Sequence, residues 1–200
     1  MSPSRIVITG LIASGKSTVA DILKEKGYDL ISADEVNREL IKKGGKNYIA
    51  IKNEPIFAPA FDGDSLDKKK LAEIIFNDKD KMERLNEISH TNIIAAINEM
   101  VENSKEDKVF IEVPLFFKIK DRFPHDLVIL VIACRDVQIK RLMARDKIDY
   151  DFALRKIESQ DELEEMKKQS DIIIDNSGDI ESLRKQIEKI IERGDFNESC

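Results

Sequence analysis

The segment Gly10-Leu11-Ile12-Ala13-Ser14-Gly15-Lys16-Ser17 sets two glycines, a lysine and a hydroxyl at the spacing that cradles a phosphate chain. Its glycines let the backbone curl so that successive N–H groups face one anion. A helix beginning near Lys16 would add the positive end of its dipole. Lys16 would reach the β- and γ-phosphates of a nucleoside triphosphate, and Ser17 would meet Mg²⁺ through its hydroxyl. Two carboxylates could serve the same chemistry. Asp34 follows an apolar run, where it could take the proton of an acceptor hydroxyl, cap the helix opening at Glu35-Val36, or do both. Glu112 ends an apolar run, where an unpaired charge is costly, so it reads either as a residue that helps position Mg²⁺ or as a residue exposed at a strand end. Arg141 and Arg145 are four apart and share a helix face. They read as a lid over a triphosphate, because the planar guanidinium fork suits phosphate oxygens, or as solvated arginines paired with nearby acids.

These groups need elements to hold them. Arg5 to Thr9 reads as a buried strand ahead of the loop, and Lys16 to about Lys26 as a helix burying Val19, Ile22 and Leu23, stopped at Gly27. Tyr28 to Ser32 reads as the second strand. From about Glu35 to Lys105 the pattern is mostly helical, with Ile93, Ile97, Met100 and Val101 as one stripe and a turn-rich stretch at Asn53 to Asp67. Val109 to Val113 and Leu127 to Ile132 are apolar on both faces, as strands of a covered parallel sheet are. A charged helical stretch runs from Asp136 to about Lys168. A last strand covers Asp171 to Asp175, followed by a turn at Asn176 to Asp179 and a helix burying Ile180, Leu183, Ile187, Ile190 and Ile191. Strands alternating with helices predict an α/β fold, a doubly wound parallel sheet of about five strands carrying a helical insertion and a lid. We divide the domain into a nucleotide-binding core (1–35 and 106–200), an insertion (36–105) and a lid (146–170).

The composition excludes several classes. With 200 residues, 42% hydrophobic and 36% charged, the chain suits one globular domain with an insertion. A formal net charge of -6 argues against nucleic acid as a partner. The longest apolar run, Leu127 to Cys134, falls far short of the ~20 residues that span a bilayer, and no signal-peptide pattern opens the chain. A cytoplasmic protein, monomeric or weakly homo-oligomeric, is expected. Cys134 reads as a buried strand residue and Cys200 stands at the end of the sequence, so neither a disulfide framework nor a metal-site spacing is present. Lys68-Lys69-Lys70 reads as a solvated helix face, or as a hold on the phosphates of an acceptor. His90 and His125 lie outside any metal-type cluster.

In order and spacing, Thr9 to Thr18, Ser32-Ala33-Asp34 with Arg38-Glu39-Leu40, Leu71 to Phe76, Leu85, Ile88, His90, Val113-Pro114-Leu115-Phe116, Arg141 to Asp146, Gln160 and Asp171 to Gly178 resemble dephospho-CoA kinase over nearly the whole chain. The resemblance implies a P-loop fold like that of nucleoside monophosphate kinases. It implies transfer of the ATP γ-phosphate to the ribose 3′-hydroxyl of dephospho-CoA, with Mg²⁺. By matching position, Asp34, Lys16, Arg141 and Arg145 would be catalytic. ATP would be held by Gly10, Ala13, Ser14, Gly15, Lys16, Ser17, Thr18, Arg145 and Asn176, the last near the adenine. Asp34, His90, Pro114, Leu115 and Phe116 would lie on the acceptor side, and Ser17 and Glu112 would meet the metal. Family members usually carry glycine where this chain has Leu11 and Ala13. They often carry an aspartate at Glu112, a proline at Thr91, an acid at Lys118 and a lysine at Met166. A kinase for another small acceptor, such as a nucleoside or nucleoside monophosphate, and a nucleotide-binding switch without transfer stay open as alternatives.

Overall fold

The computed structural model describes residues 2–76, 78–160 and 163–192, so Cys200 and positions 161–162 of the expected lid lie outside the described residues. Among those residues the strands are β1 (Ser4–Gly10), β2 (Asp29–Ser32), β3 (Phe61–Asp62), β4 (Ser65–Leu66), β5 (Lys108–Glu112), β6 (Leu127–Ile132) and β7 (Ile172–Asp175). The helices are α1 (Lys16–Glu25), α2 (Ala33–Leu40), α3 (Lys46–Asn53), α4 (Lys68–Phe76), α5 (Lys79–Asn103), α6 (Arg135–Asp146), α7 (Tyr150–Glu158), α8 (Leu163–Lys168) and α9 (Ile180–Glu192). The chain divides into two compact units, Met1–Leu30 with Ser104–Cys200, and Ile31–Asn103.

The first unit is built on a five-stranded sheet of order β2-β5-β1-β6-β7. β1 runs parallel to β5 with Ile8 opposite Glu112, and parallel to β6 with Gly10 opposite Val131; β7 continues the sheet parallel to β6. Ile6, Ile8, Phe110, Leu127, Ile129, Val131 and Ile174 cover one face, under Val19, Ile22 and Leu23 of α1 and Leu183 and Ile187 of α9. Val7, Val109, Ile111, Val128 and Leu130 alternate with them and are equally buried, which accounts for the unbroken apolar runs. Gly27 stops α1 in the left-handed region at φ 87°.

The charged helical stretch from Asp136 to Lys168 is borne out as helical and consists of three helices, because Lys147 caps α6 in the left-handed conformation and Asp149 caps α7 by accepting from the Phe152 N–H at 2.8 Å. Several local expectations are corrected. Cys134 is exposed. β6 ends at Ile132, and Cys134 is the residue ahead of α6, its N–H donating to Ser177 Oγ at 2.7 Å. Ile180, in the first turn of α9, and Met100, near the end of α5, are exposed rather than buried with their stripes.

The second unit has its own core of Ile51, Phe57, Ala60 and Leu71. Buried Asn47 ties three helices: it donates to Asn37 Oδ1 and accepts from Asn92 Nδ2, each at 2.9 Å. The turn-rich stretch contains a 3₁₀ segment, Pro55–Ala60, and the β3–β4 hairpin. Lys68, Lys69 and Lys70 are exposed on the first turn of α4, where Asp67 caps the N–H groups of Lys69 and Lys70. Among the described residues no helix is long and apolar enough to cross a membrane.

Candidate active site

β1 delivers Gly10 to the loop, and packing dictates its residue type: a Cβ there would sit 2.2 Å from the carbonyl oxygen of Val131. Gly15, which precedes α1, has φ 93°, and its Cβ would meet Asn176 Nδ2 at 2.0 Å. Between them Ala13 adopts φ 56°. The loop therefore keeps a left-handed backbone at a residue that carries a Cβ, and Ala13 bears the strain. The first-turn N–H groups of α1 emerge at this end of the helix. Lys16 folds back across the loop, its Nζ donating to the carbonyls of Gly10 at 2.9 Å and Leu11 at 3.0 Å. Ser17 is exposed beside it, and Thr18 is half-buried with its N–H donating to Gly15 O. Ser14 is fully buried, and its hydroxyl has no hydrogen-bond partner among the described residues. An orphaned buried hydroxyl inside a curl of backbone amides fits a site that receives an anionic oxygen.

Side chains far away in sequence brace this loop from behind. The Ser14 carbonyl accepts from Asn176 Nδ2 at 2.9 Å and from Arg141 at 3.2 Å, while the other end of the Arg141 guanidinium donates to Asn176 O at 3.0 Å. Ile12 is held by Gln138 and Gln160, both at 2.8 Å. The guanidinium has five donors, so the two carbonyls leave capacity for phosphate oxygens. Arg145 takes a different course. It pairs with Asp146 at 2.8 Å, and Lys156 joins the same carboxylate at 3.1 Å. Arg145, first, and Lys156 together hold the Asp146 carboxyl down at about 2.

A cleft opens beside Gly10 and Leu11, lined by Pro114, Leu115, Phe117, Lys118, Ser159, Gln160 and Met166. Lys118 and Met166 thus line one cleft. Phe116 does not line it. Its ring is fully buried edge-on against Phe117, Phe123 and His125, while its neighbour Phe117 lines the cleft. Glu112 closes β5 half-buried, on the same alternation as Phe110, the face against which α1 packs. In the second unit Asp34 is exposed in the first turn of α2, two residues past the end of β2. The helix begins at Ala33 after Ser32, so Asp34 is not its N-cap. His90 is half-buried in the middle of α5.

The structure therefore gathers Gly10, Ala13, Ser14, Gly15, Lys16, Ser17, Thr18, Arg141 and Asn176 at one loop, with Pro114 and Leu115 on the adjoining cleft, and sets Arg145 on Asp146. Gln138 is the loop contact that no sequence motif marks; its one signal is its place three residues before Arg141 on the same helix face.

The family model for dephospho-CoA kinase (CoaE) matches residues 5–182. The dephospho-CoA kinase of Carboxydothermus hydrogenoformans is 36% identical over 191 residues, covering 94% of this chain and 93% of its own length. That of Fusobacterium nucleatum is 36% identical over 195 residues, covering 96% and 99%. Among solved structures, TT1252 from Thermus thermophilus aligns with a TM-score of 0.82 at 27% identity, covering 96% of this chain and 98% of that one. Dephospho-CoA kinase from Campylobacter jejuni aligns at 0.62 with 31% identity, covering 96% and 97%. A shikimate kinase from Bacteroides thetaiotaomicron, at 0.52 and 13% identity, shares the fold alone. Because the match runs from the first strand through the phosphate loop and its distant braces into the last helix, the chain belongs to the dephospho-CoA kinase family.

Proposed function

We propose that this chain, a kinase by its family, moves the γ-phosphate of ATP to the ribose 3′-hydroxyl of dephospho-CoA, giving CoA and ADP, the final step of coenzyme A biosynthesis. The observation that carries the reading is the whole-length family match laid over a complete phosphate loop. In-line phosphoryl transfer asks the protein mainly to position the reactants and to neutralise charge. The loop amides and Lys16 would hold the phosphates, with the orphaned Ser14 hydroxyl available to one of their oxygens. Arg141, already fixed against the loop, would present its remaining donors to them. Arg145 would add charge by leaving Asp146 for the phosphates. Asp34 would orient the acceptor hydroxyl and take its proton. Asn176 would lie by the adenine, and His90, Pro114 and Leu115, with Phe117 in place of buried Phe116, would face the acceptor.

Mg²⁺, when bound, would neutralise the charge that develops between the β- and γ-phosphates. Ser17, exposed at the head of α1, and Glu112, on the side of β5 that faces α1, fit its habit of taking one or two protein oxygens alongside the substrate phosphates. Among the described residues no group of three or more His, Cys, Asp or Glu could hold a metal ion alone. We take residues 36–105 as the acceptor-binding insertion and 146–170 as the lid. With the reading go a cytoplasmic location and a monomer or weak homo-oligomer.

The test is ADP release with ATP and Mg²⁺ against dephospho-CoA, nucleoside monophosphates and shikimate. Stimulation by dephospho-CoA alone is expected. Stimulation only by another member of the panel would sink the reading, and equal release with and without every acceptor would favour a nucleotide switch.

A further inference from the structure

We infer that Gln138 and Gln160 are positioning residues of the phosphate loop: together they hold both backbone polar groups of Ile12 and so tie the curvature of the cradle to the α6–α7 pair. Gln138, in the second turn of α6 and only 4% exposed, donates from Nε2 to the Ile12 carbonyl at 2.8 Å. Gln160, two residues past the end of α7, accepts from the Ile12 N–H with Oε1 at 2.8 Å. The Ile12 and Ala13 side chains pack against Ile139 and Leu142 of α6 and Ala153 and Ile157 of α7. One loop residue is therefore fixed through its N–H, its carbonyl and its side chain to the same two helices. Ala13, which follows Ile12 directly, turns left-handed at φ 56°, so the attachment fixes the loop at the bend that aims the amides that follow. Gln160 also lines the cleft beside Gly10 and Leu11, so one side chain serves both the tether and the cleft wall.

The chemistry of the two bonds is opposite. A carbonyl can only accept, so Gln138 must donate; a peptide N–H can only donate, so Gln160 must accept. Replacing either glutamine with glutamate preserves size and adds the same charge beside the same loop residue, but only at position 160 does the glutamate keep the hydrogen bond.

The proposal rests on the loop being a nucleotide cradle, and the test separates the two. ADP affinity with Mg²⁺ is measured by titration calorimetry on the full chain, wild type, Gln138→Glu, Gln160→Glu and Gln138→Met, with melting curves as the check on folding. Gln138→Glu is expected to weaken ADP about tenfold more than Gln160→Glu, the worth of one buried hydrogen bond. In turnover assays the loss in Gln138→Glu, whose side chain does not line the cleft, should fall on kcat and the KM for ATP, leaving the KM for dephospho-CoA within about twofold. Gln138→Met removes the donor without adding charge and should weaken ADP by about tenfold, which keeps the comparison intact if the glutamate variant does not fold. Equal weakening by the two glutamate variants, or wild-type affinity in Gln138→Met, overturns the positioning role while leaving the cradle standing. A wild type that binds no ADP overturns both.

Discussion

Gly15→Ala gives the sharpest account of how the loop is held. Its Cβ would fall 2.0 Å from Asn176 Nδ2, an atom that is buried and already donating to Ser14 O at 2.9 Å. To admit the methyl group the amide must swing away. That forfeits a hydrogen bond and leaves a buried donor unsatisfied, about 1–3 kcal/mol. A further ~1–2 kcal/mol comes from holding alanine at φ 93°, a left-handed conformation. About 0.4–1 kcal/mol is recovered because alanine restricts the unfolded chain. The net cost is about 3 kcal/mol, the middle of a span of roughly 1–5. In an Asn176→Ala background the obstructing amide is absent, and the same substitution should cost only ~0.5–1 kcal/mol, the balance of the two backbone effects. A coupling of about 2 kcal/mol is therefore expected from urea denaturation of the wild type, both single variants and the double variant. Coupling below about 0.5 kcal/mol, the usual scatter of additivity, would refute the claim that Gly15 is required for the approach of Asn176.

Three further outcomes are expected. Asp34→Asn should fold and bind ADP as wild type but lose turnover by about 10²–10⁴-fold, the range of a lost general base; near-wild-type turnover removes Asp34 from that role. Ser14→Ala deletes a buried hydroxyl that has no partner among the described residues, so its urea stability should equal or slightly exceed wild type, whereas a loss above about 1.5 kcal/mol would show that the hydroxyl is bonded in solution. The Asp146 carboxyl is held at about 2 by Arg145 and Lys156, below its unfolded value near ~3.9, so whatever it adds to stability is complete above the unfolded value and disappears as pH falls through the folded one. The melting-temperature gap between wild type and Asp146→Asn should hold from pH ~7 to ~5 and close between ~4 and ~2. A gap undiminished at pH ~2 would mean the effect is not ionic.

The parts of this fold that could be read from sequence are those whose causes are local. Leu127 to Ile132 is apolar at every position because both faces of its strand are covered, and its bounds come out unchanged. The Gly10–Ser17 loop could be read because its backbone demands particular residue types at fixed offsets. What could not be read depends on partners far along the chain. Gln138 meets Ile12 across 126 positions, and neither residue carries a pattern that announces the other. The burial of Phe116 beside Pro114 is not legible in sequence, which shows its neighbours in the chain and not the rings of Phe123 and His125 that enclose it. The cap that ends α6 at Lys147 is not legible, because a left-handed lysine lacks the glycine that usually marks one. Arg141 could be read as a phosphate-directed residue, but not as one that braces the loop through carbonyl groups.

The strand order also sets a timetable for synthesis. β1 is the central strand, yet both of its neighbours lie far downstream, starting at Lys108 and Leu127. At roughly 5–20 residues per second, the first strand leaves the ribosome roughly 5–20 seconds before either partner exists. Residues Ile31–Asn103, which make their contacts largely among themselves, are all synthesised during that wait. The last brace of the phosphate loop, Asn176 on Ser14, spans 162 positions, so the cradle is completed only when nearly all of the chain has been made. A nascent chain stalled before Asn176 would carry the whole phosphate-binding sequence and still lack a finished nucleotide site.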